Sequence, residues 1–207
     1  MHPIRFSYTP AALSANGLAN DVAYAGDGYA LSATEAGDDL AHIITILGNA
    51  VTNHSAKTFT ITGTDANDNA ISEGIAGPNG VATVSTTLHF KTVTSVTVSA
   101  TTGADTFDIG WTAVAVGPIF PLNWRQTDFQ VSLGIAVTGT ISVTVQHTFD
   151  ALHGEYSDSL TWFPHASLAA VTANEDGNYA FPVTATRLLV NSVTAGGTVD
   201  FLVIQGN

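Results

Sequence analysis

The sequence predicts an all-β fold in which two tandem antiparallel β-sandwich domains, Ig-like or jelly-roll-like, follow an extended N-terminal arm. Three observations predict this fold. Apolar and polar residues alternate with a period of two in many short segments. Threonine and valine, whose branched Cβ atoms favour strands, are abundant. Glycine, asparagine and aspartate cluster between these segments, as turns require, and no amphipathic helix pattern exceeds about two turns.

The N-terminal region, residues 1–39, shows no lasting period of two or of 3.6 residues. It carries four widely spaced aromatic residues, Phe6, Tyr8, Tyr24 and Tyr29. We interpret this region as an extended arm whose four aromatic side chains bind a partner molecule. The alternative interpretation is that the segment wraps around its own sandwich.

The first predicted sandwich comprises residues 40–117. Alternation indicates strands at 41–47, 57–62 and 70–75, and the turn residues 65–69 lie between the last two. A dense turn signal between two alternating segments predicts a β-hairpin. Further strands are predicted within 81–100 and at 106–112.

A proline-containing linker, residues 118–126, is predicted to separate the two sandwiches. Pro118 and Pro121 exclude a central strand there, because proline cannot donate to a strand ladder. Trp124 is predicted to anchor the domain junction and is a further candidate for partner binding. The second predicted sandwich comprises residues 127–207. Its predicted strands are 130–137, 141–149, 185–191 and 198–204.

The charge of the chain limits its partners. The formal net charge is −12, and only five residues are Lys or Arg. Binding to nucleic acid or to an anionic membrane requires clustered basic side chains, so we expect neither partner. The chain has no cysteine, so we expect no disulfide and no thiolate-bound metal. No apolar run resembles a secretory signal or approaches the roughly 20 residues of a membrane span, so we expect synthesis in the cytoplasm.

One segment has the spacing that opens a calcium-binding loop. Asp65, Asn67 and Asn69 stand at every second position, which is the spacing of the first oxygen ligands in such a loop. Ala70 stands where such a loop requires glycine, and Ala76 stands where it requires a bidentate glutamate. We therefore interpret the segment as a hairpin turn without a metal.

The second predicted sandwich contains a local group of histidines and carboxylates. Its members are His147, Asp150, His153, Glu155, Asp158 and His165. Their irregular spacing is not that of a metal site, and we interpret them as structural residues. The sequence has no Gly-x-Ser-x-Gly elbow and no glycine-rich phosphate loop. We therefore expect a non-enzymatic protein without catalytic residues, metal ligands or cofactors.

Several segments resemble those of structural proteins from tailed bacteriophages. They are residues 63–73, 77–80, 90–98, 104–111 and 121–125. The resemblance implies a virion component made in the host cytoplasm. Its role would be that of a capsid decoration or cement protein that stabilises the head, or that of a neck or tail component. The implied partners are the major capsid protein or neck and tail proteins, and further copies of the chain in a homo-oligomer.

A second hypothesis, from a different functional class, is that the chain is a carbohydrate-binding or adhesin β-sandwich module. It depends on exposed aromatic side chains, for which Trp111, Trp124 and Trp162 are candidates. A lattice protein should use residues 1–39 against its neighbours, whereas a lectin needs a concave aromatic site.

Overall fold

The computed structural model describes residues 3–153 and 155–206. The predicted all-β class is confirmed, because strands account for 54% of the structure and form multiple antiparallel sheets. Within the described residues the only helical segment is the short 3-10 helix Ser157–Ser159. No helix in this part of the chain is long and apolar enough to cross a membrane.

The chain divides into two compact units. The first unit comprises Leu13–Ala113, and the second comprises Met1–Ala12 together with Val114–Asn207. The strands that begin in the first unit are β2 (Ser14–Ala23), β3 (Ala41–Gly48), β4 (Thr58–Thr64), β5 (Ala70–Ala76), β6 (Thr83–Phe90), β7 (Thr92–Val98) and β8 (Thr106–Val116). Those of the second unit are β1 (Ile4–Tyr8), β9 (Phe120–Pro121), β10 (Val131–Thr138), β11 (Ile141–Thr148), β12 (Phe163–Pro164), β13 (Glu175–Tyr179), β14 (Ala185–Val193) and β15 (Thr198–Gln205).

The first unit consists of two sheets around one apolar core. One sheet has the order β5-β4-β7, and the other contains β3 between β8 and β6, with β2 paired to β8. Strand β4 alternates strictly, so Phe59 and Ile61 are buried whereas its threonines face outward. These two side chains pack with Ile46, Phe107 and Ile109 from the other sheet. The predicted hairpin is confirmed, because β4 and β5 pair from Thr58↔Ala76 to Thr64↔Ala70.

The second unit also contains two sheets. One has the order β1-β15-β10-β13, and the other has the order β12-β11-β14, to which β9 and the end of β8 add. Phe6 of β1 in the first of these sheets contacts Phe120 of β9 in the other, with ring centroids 5.6 Å apart. The core lies between these sheets. The buried valines and leucines of β10, β11, β14 and β15 alternate with polar or partly exposed residues along most of each strand, as a two-sided sheet requires.

The structure differs from the predicted arm, residues 1–39. Strand β1 pairs with β15 along all five of its residues, from Ile4↔Val203 to Tyr8↔Val199. Strand β2 pairs with β8. The alternative interpretation, in which the segment wraps around its own sandwich, is closer to these pairings. The cause is that β15 and β8 offer unpaired edges, whose backbone groups gain hydrogen bonds from a strand added beside them.

The division of the chain also differs from the predicted boundaries of 40–117, 118–126 and 127–207. The two units separate between Ala113 and Val114, inside strand β8. Within the predicted linker, Phe120 and Pro121 form strand β9 on β14. Proline fits there because β9 is only two residues long and Pro121 lies at its end, where no ladder donor is required.

Candidate functional site

The second unit carries an open apolar cleft of about 550 Å³. Three separate segments form its wall: the residues that end β9, those that follow β11 and those that precede β14. We call it the apolar cleft. Its lining residues are Pro121, Leu122, Trp124, Phe149, Ala151, Leu152, Pro182, Val183 and Thr184. The volume lies within the range typical of binding pockets.

The polar groups around the apolar cleft bind one another. The Leu122 amide donates to the Thr184 carbonyl at 2.9 Å, and the Thr184 amide donates to the Thr148 carbonyl at 3.0 Å. The Thr184 hydroxyl, the one side-chain hydroxyl in the lining, also donates to the Thr148 carbonyl, at 2.8 Å. The cleft is therefore suited to apolar groups, and the donors among its lining side chains are the Trp124 indole and the Thr184 hydroxyl.

Trp124 stands at the apolar cleft with 45% of its surface exposed. The Arg125 guanidinium lies 4.7 Å from the centroid of its ring, a cation–π contact. The segment before it is held by the buried Gln205, whose amide donates to the Asn123 carbonyl at 3.1 Å and accepts from the Asn123 amide at 3.1 Å. Among the predicted partner-binding residues, Trp124 is thus the one that lines the apolar cleft.

An aromatic patch adjoins the apolar cleft through Phe149. It consists of Phe149, Phe163 and Phe181, each between 44% and 51% exposed. Phe149 lies 5.7 Å from Phe163 and 6.2 Å from Phe181, measured between ring centroids. Exposed clusters of large apolar residues mark interaction sites more often than single ones do.

His147 lies beneath the aromatic patch and is buried. Its ring is 5.3 Å from Phe149 and 5.0 Å from Tyr179. Its Nδ1 atom is buried and has no hydrogen-bond partner among the described residues. Burial, together with the nearby His165, lowers the pKa of His147. Burial also raises the pKa of Tyr179 to about 12.

The predicted group of histidines and carboxylates is only partly brought together. His147 and His165 both contact Tyr179, at 5.0 and 5.1 Å between ring centroids. The carboxylates bind elsewhere: Asp150 accepts from the Thr161 amide, and Glu155 accepts from the Ser159 hydroxyl. No three histidines or carboxylates in the described residues are arranged to hold a metal ion.

Arg187 is a buried cation that the sequence did not single out. Its Nε donates to the Gln146 side chain at 2.8 Å, and its Nη1 donates to the Ser157 hydroxyl at 2.7 Å and to Asp158 at 3.2 Å. Burial lowers the pKa of Arg187 to about 10, against the opposing effect of Asp158. These bonds fix the loop that follows the apolar cleft residues Ala151 and Leu152.

The aromatic residues of the predicted arm pack within the chain. Phe6 stacks on Phe201 at 6.1 Å, and Tyr8 is half-buried in strand β1. The Tyr24 hydroxyl donates to the Gly26 carbonyl. Tyr29 is 6% exposed and its ring fills the core of the first unit, whereas its role in partner binding stays a prediction.

Two histidine–carboxylate pairs lie in the first unit. His42 is buried, and its two nitrogens contact the Thr112 carbonyl and the Asp38 carboxylate, both at 2.9 Å. His54 binds Asp105 at 2.9 Å. Hydrogen bonds from Thr52 and His54 lower the pKa of Asp105. Sequence reasoning missed both pairs, although the four-residue spacing of Asp38 and His42 is a local signal.

These pairs are structural. A carbonyl can only accept a hydrogen bond, so the Nδ1 atom of His42 carries the hydrogen. Lys57 Nζ lies 3.1 Å from His54 Nδ1 and 2.6 Å from the Thr101 carbonyl. Both ring nitrogens of each histidine are thus engaged, and neither ring offers a free nitrogen for proton transfer to a substrate.

The Asp65 segment forms the predicted turn. One oxygen of the buried Asp65 carboxylate accepts from the amides of Asn67 and Asn69, at 2.8 and 2.9 Å. The other oxygen accepts from the Asn69 side chain at 3.2 Å. Amide hydrogens therefore occupy the carboxylate that a calcium ion would need.

No protein-family profile matches the sequence, and no curated protein matches it.

Proposed function

We propose that this chain is a non-enzymatic structural component of a tailed-phage particle. Its role would be that of a capsid decoration or cement protein that stabilises the head, or that of a neck or tail component. The observation that carries the proposal is the exposed apolar end of the second unit, formed by the apolar cleft and the aromatic patch. Covering such an apolar surface with a neighbouring protein is favourable in free energy, because the contact removes the surface from water.

The composition supports permanent contact with neighbours. Charged residues make up 11% of the chain, against roughly 25% in ordinary soluble domains. The resemblance of about residues 40–125 to phage structural proteins supports the virion as the place of assembly. The partners we propose are the major capsid protein, neck or tail proteins, and further copies of the chain.

We also propose that each of the two compact units is a β-sandwich domain. In each unit two sheets present buried faces, which supports two β-sandwich domains. Side chains such as His42 and His54 are locked in internal hydrogen bonds. This supports a role in which the residues stabilise a rigid body rather than perform chemistry.

A carbohydrate-binding or adhesin module is the second candidate, and the exposed rings of the aromatic patch favour it. Sugar recognition combines aromatic stacking with hydrogen bonds to hydroxyl groups. The side chains that line the apolar cleft are predominantly apolar, which favours a protein partner.

The proposal is tested on particles. Virions from the host that carries this gene are purified by density gradient and analysed by quantitative mass spectrometry and cryo-electron microscopy. We expect the chain at a fixed copy number, with the aromatic patch covered by a neighbour. Absence of the chain from purified virions would overturn the proposal, and saturable binding to a glycan array that Phe149→Ala and Phe181→Ala abolish would favour the second candidate.

A further inference from the structure

His42 stands between two hydrogen-bond acceptors. Its Nδ1 atom lies 2.9 Å from the Thr112 carbonyl of strand β8, and its Nε2 atom lies 2.9 Å from Oδ2 of Asp38. The side chains of His42 and Asp38 are 2% and 5% exposed, so bulk water hardly reaches the contact. A neutral imidazole has one N–H, and it can therefore donate to only one of these two acceptors.

A neutral His42 ring would leave two acceptors facing one another. With the hydrogen on Nδ1, the bare Nε2 would face a carboxylate oxygen at 2.9 Å, and with the hydrogen on Nε2, the bare Nδ1 would face a carbonyl oxygen. Rotation of the ring by half a turn places carbon atoms at both contacts and loses both hydrogen bonds. Buried acceptors without a donor are costly in free energy. Both hydrogen bonds form when both ring nitrogens carry hydrogen.

The Asp38 carboxyl group is suited to accept this hydrogen bond as an anion. Its second oxygen, Oδ1, accepts from the Leu40 amide at 3.1 Å, and a hydrogen bond of this kind favours the ionised carboxyl group. Imidazole is also a stronger base than a carboxylate, so the hydrogen between the two groups resides on Nε2 of His42.

Two further charged side chains line the small cavity at this ring. They are Glu35, which favours a cationic ring, and Lys91, which opposes it. The Lys91 ammonium already forms a salt bridge with another carboxylate, at 2.9 Å. Strands β6 and β8 contribute the uncharged Phe90 and Trp111 to the same cavity. The directly bonded carboxylate of Asp38 is therefore the main charge that acts on the ring.

The second buried pair, His54 and Asp105, has the opposite arrangement. The Lys57 ammonium lies 3.1 Å from Nδ1 of His54, and because an ammonium can only donate, Nδ1 accepts and carries no hydrogen. Nε2 carries the hydrogen and donates it to Asp105 at 2.9 Å. The geometry thus gives His54 one hydrogen. Both histidines have a carboxylate at Nε2, and the group at Nδ1 sets the number of hydrogens.

We propose that His42 is a buried imidazolium at neutral pH and forms an ionic latch with Asp38, whereas His54 is neutral. The latch joins the segment before β3, which carries Asp38, to Thr112 of β8 through one ring. It is a pH-sensitive device, because removal of the Nε2 hydrogen in alkaline solution leaves a bare nitrogen against a carboxylate and releases that segment. The inference concerns the first unit and does not depend on a role in the virion.

Nitrogen-15 NMR of the histidine side chains in the full chain tests the two protonation states. Long-range proton–nitrogen spectra distinguish a ring nitrogen that carries hydrogen from a bare one, and the variants His42→Gln and His54→Gln assign the signals. At neutral pH we expect two hydrogen-bearing nitrogens in His42, and in His54 a hydrogen-bearing Nε2 with a bare Nδ1. A bare nitrogen in His42, or two hydrogen-bearing nitrogens in His54, would overturn the proposal.

Asp38→Asn and Asp105→Asn are matched variants for the same measurement. The amide NH2 at position 38 can donate to Nε2, so a neutral ring satisfies both contacts, and we expect His42 to lose one hydrogen at the same pH. The amide oxygen at position 105 can accept from Nε2, so His54 should remain unchanged. Well-dispersed backbone amide spectra verify that both variants are folded. If a folded Asp38→Asn variant keeps two hydrogens on His42, the carboxylate does not hold the charge and the proposal fails.

A pH titration of the natural chain tests the release of the latch. As the pH rises, we expect the loss of one His42 hydrogen and a shift of the Leu40 amide signal in the same step, because that amide donates to Asp38. The Asp38→Asn variant should lack this step. A Leu40 amide signal that stays constant while His42 loses its hydrogen would show that the segment is held by other contacts, and would overturn the latch.

Discussion

The guanidinium of Arg187 lies 4.2 Å from the ring centroid of Trp162. The Trp162 indole in turn donates to the Ser157 carbonyl at 2.8 Å, and the Ser157 hydroxyl accepts from Arg187. Arg187, in strand β14, thus contacts residues at both ends of the segment 157–162. This segment lies between the apolar cleft residue Leu152 and the aromatic patch residue Phe163, so Arg187 stabilises the part of the chain that joins the two surfaces.

Replacing Arg187 should destabilise the second unit. Arg187→Ala leaves the partly buried Asp158 without its cation, and we expect the free energy of unfolding to fall by about 3–5 kcal/mol. Arg187→Lys should recover only part of the loss, because an ammonium cannot form the planar fork that binds Gln146 and Ser157 together. The matched control is Arg5→Ala, which removes an exposed ion pair with Asp200 and should leave the melting temperature unchanged. Equal melting temperatures for Arg187→Ala and Arg5→Ala would contradict the role of Arg187.

The stability of the second unit should fall at mildly acidic pH because of His147. Its pKa in the folded protein is below the ordinary value of 6.5, whereas the unfolded chain takes up a proton at that ordinary value. The unfolded state therefore binds more protons as the pH drops below 6.5, and folding is opposed. His147→Leu should remove this part of the pH dependence, seen in melting temperatures from about pH 7.5 to about pH 5. His153→Leu, at an exposed position, is the control, and the same change in both variants would refute the assignment.

Gly63 should not tolerate a side chain. It stands at the irregular register between β4 and β7, where a Cβ atom would lie 1.8 Å from the Thr92 carbonyl oxygen. Gly63→Ala should therefore shift β7 and cost at least about 1–3 kcal/mol of stability in the first unit. Gly134→Ala is the matched control, because there the nearest atom, Cβ of Leu202, is 3.6 Å away. Chemical denaturation measures both, and unchanged stability of Gly63→Ala would show that the two strands can separate locally.

Substitutions of Tyr29 test whether this residue stabilises the core or binds a partner. It packs on Phe59 at 5.7 Å and on Phe107 at 5.4 Å, and its hydroxyl lies 3.0 Å from that of Thr102. We expect Tyr29→Ala to lower the free energy of unfolding by about 3–5 kcal/mol. Tyr29→Phe should cost about 1 kcal/mol, the value of one hydrogen bond. A fully stable Tyr29→Ala variant that loses attachment to particles would restore the interpretation of residues 1–39 as a binding arm.

The sequence by itself determined the strands that alternate clearly and the local turns. Alternation places Phe59 and Ile61 on one face of β4, and a strand with a period of two buries such a face whatever its neighbours are. The β4–β5 hairpin followed from the same local information, because Asp65 binds amides only two and four residues away.

The tertiary structure alone decided which strands pair and where a surface site forms. Strand β1 pairs with β15 at the other end of the chain, although residues 1–39 show no alternation that would predict it. Strands β10 and β11 adjoin in sequence but lie in different sheets. The apolar cleft combines segments around Trp124, Phe149 and Val183. Hydrophobic burial is non-directional and acts between any two apolar surfaces, so no local pattern specifies which distant segments meet; only the packing of the complete chain does.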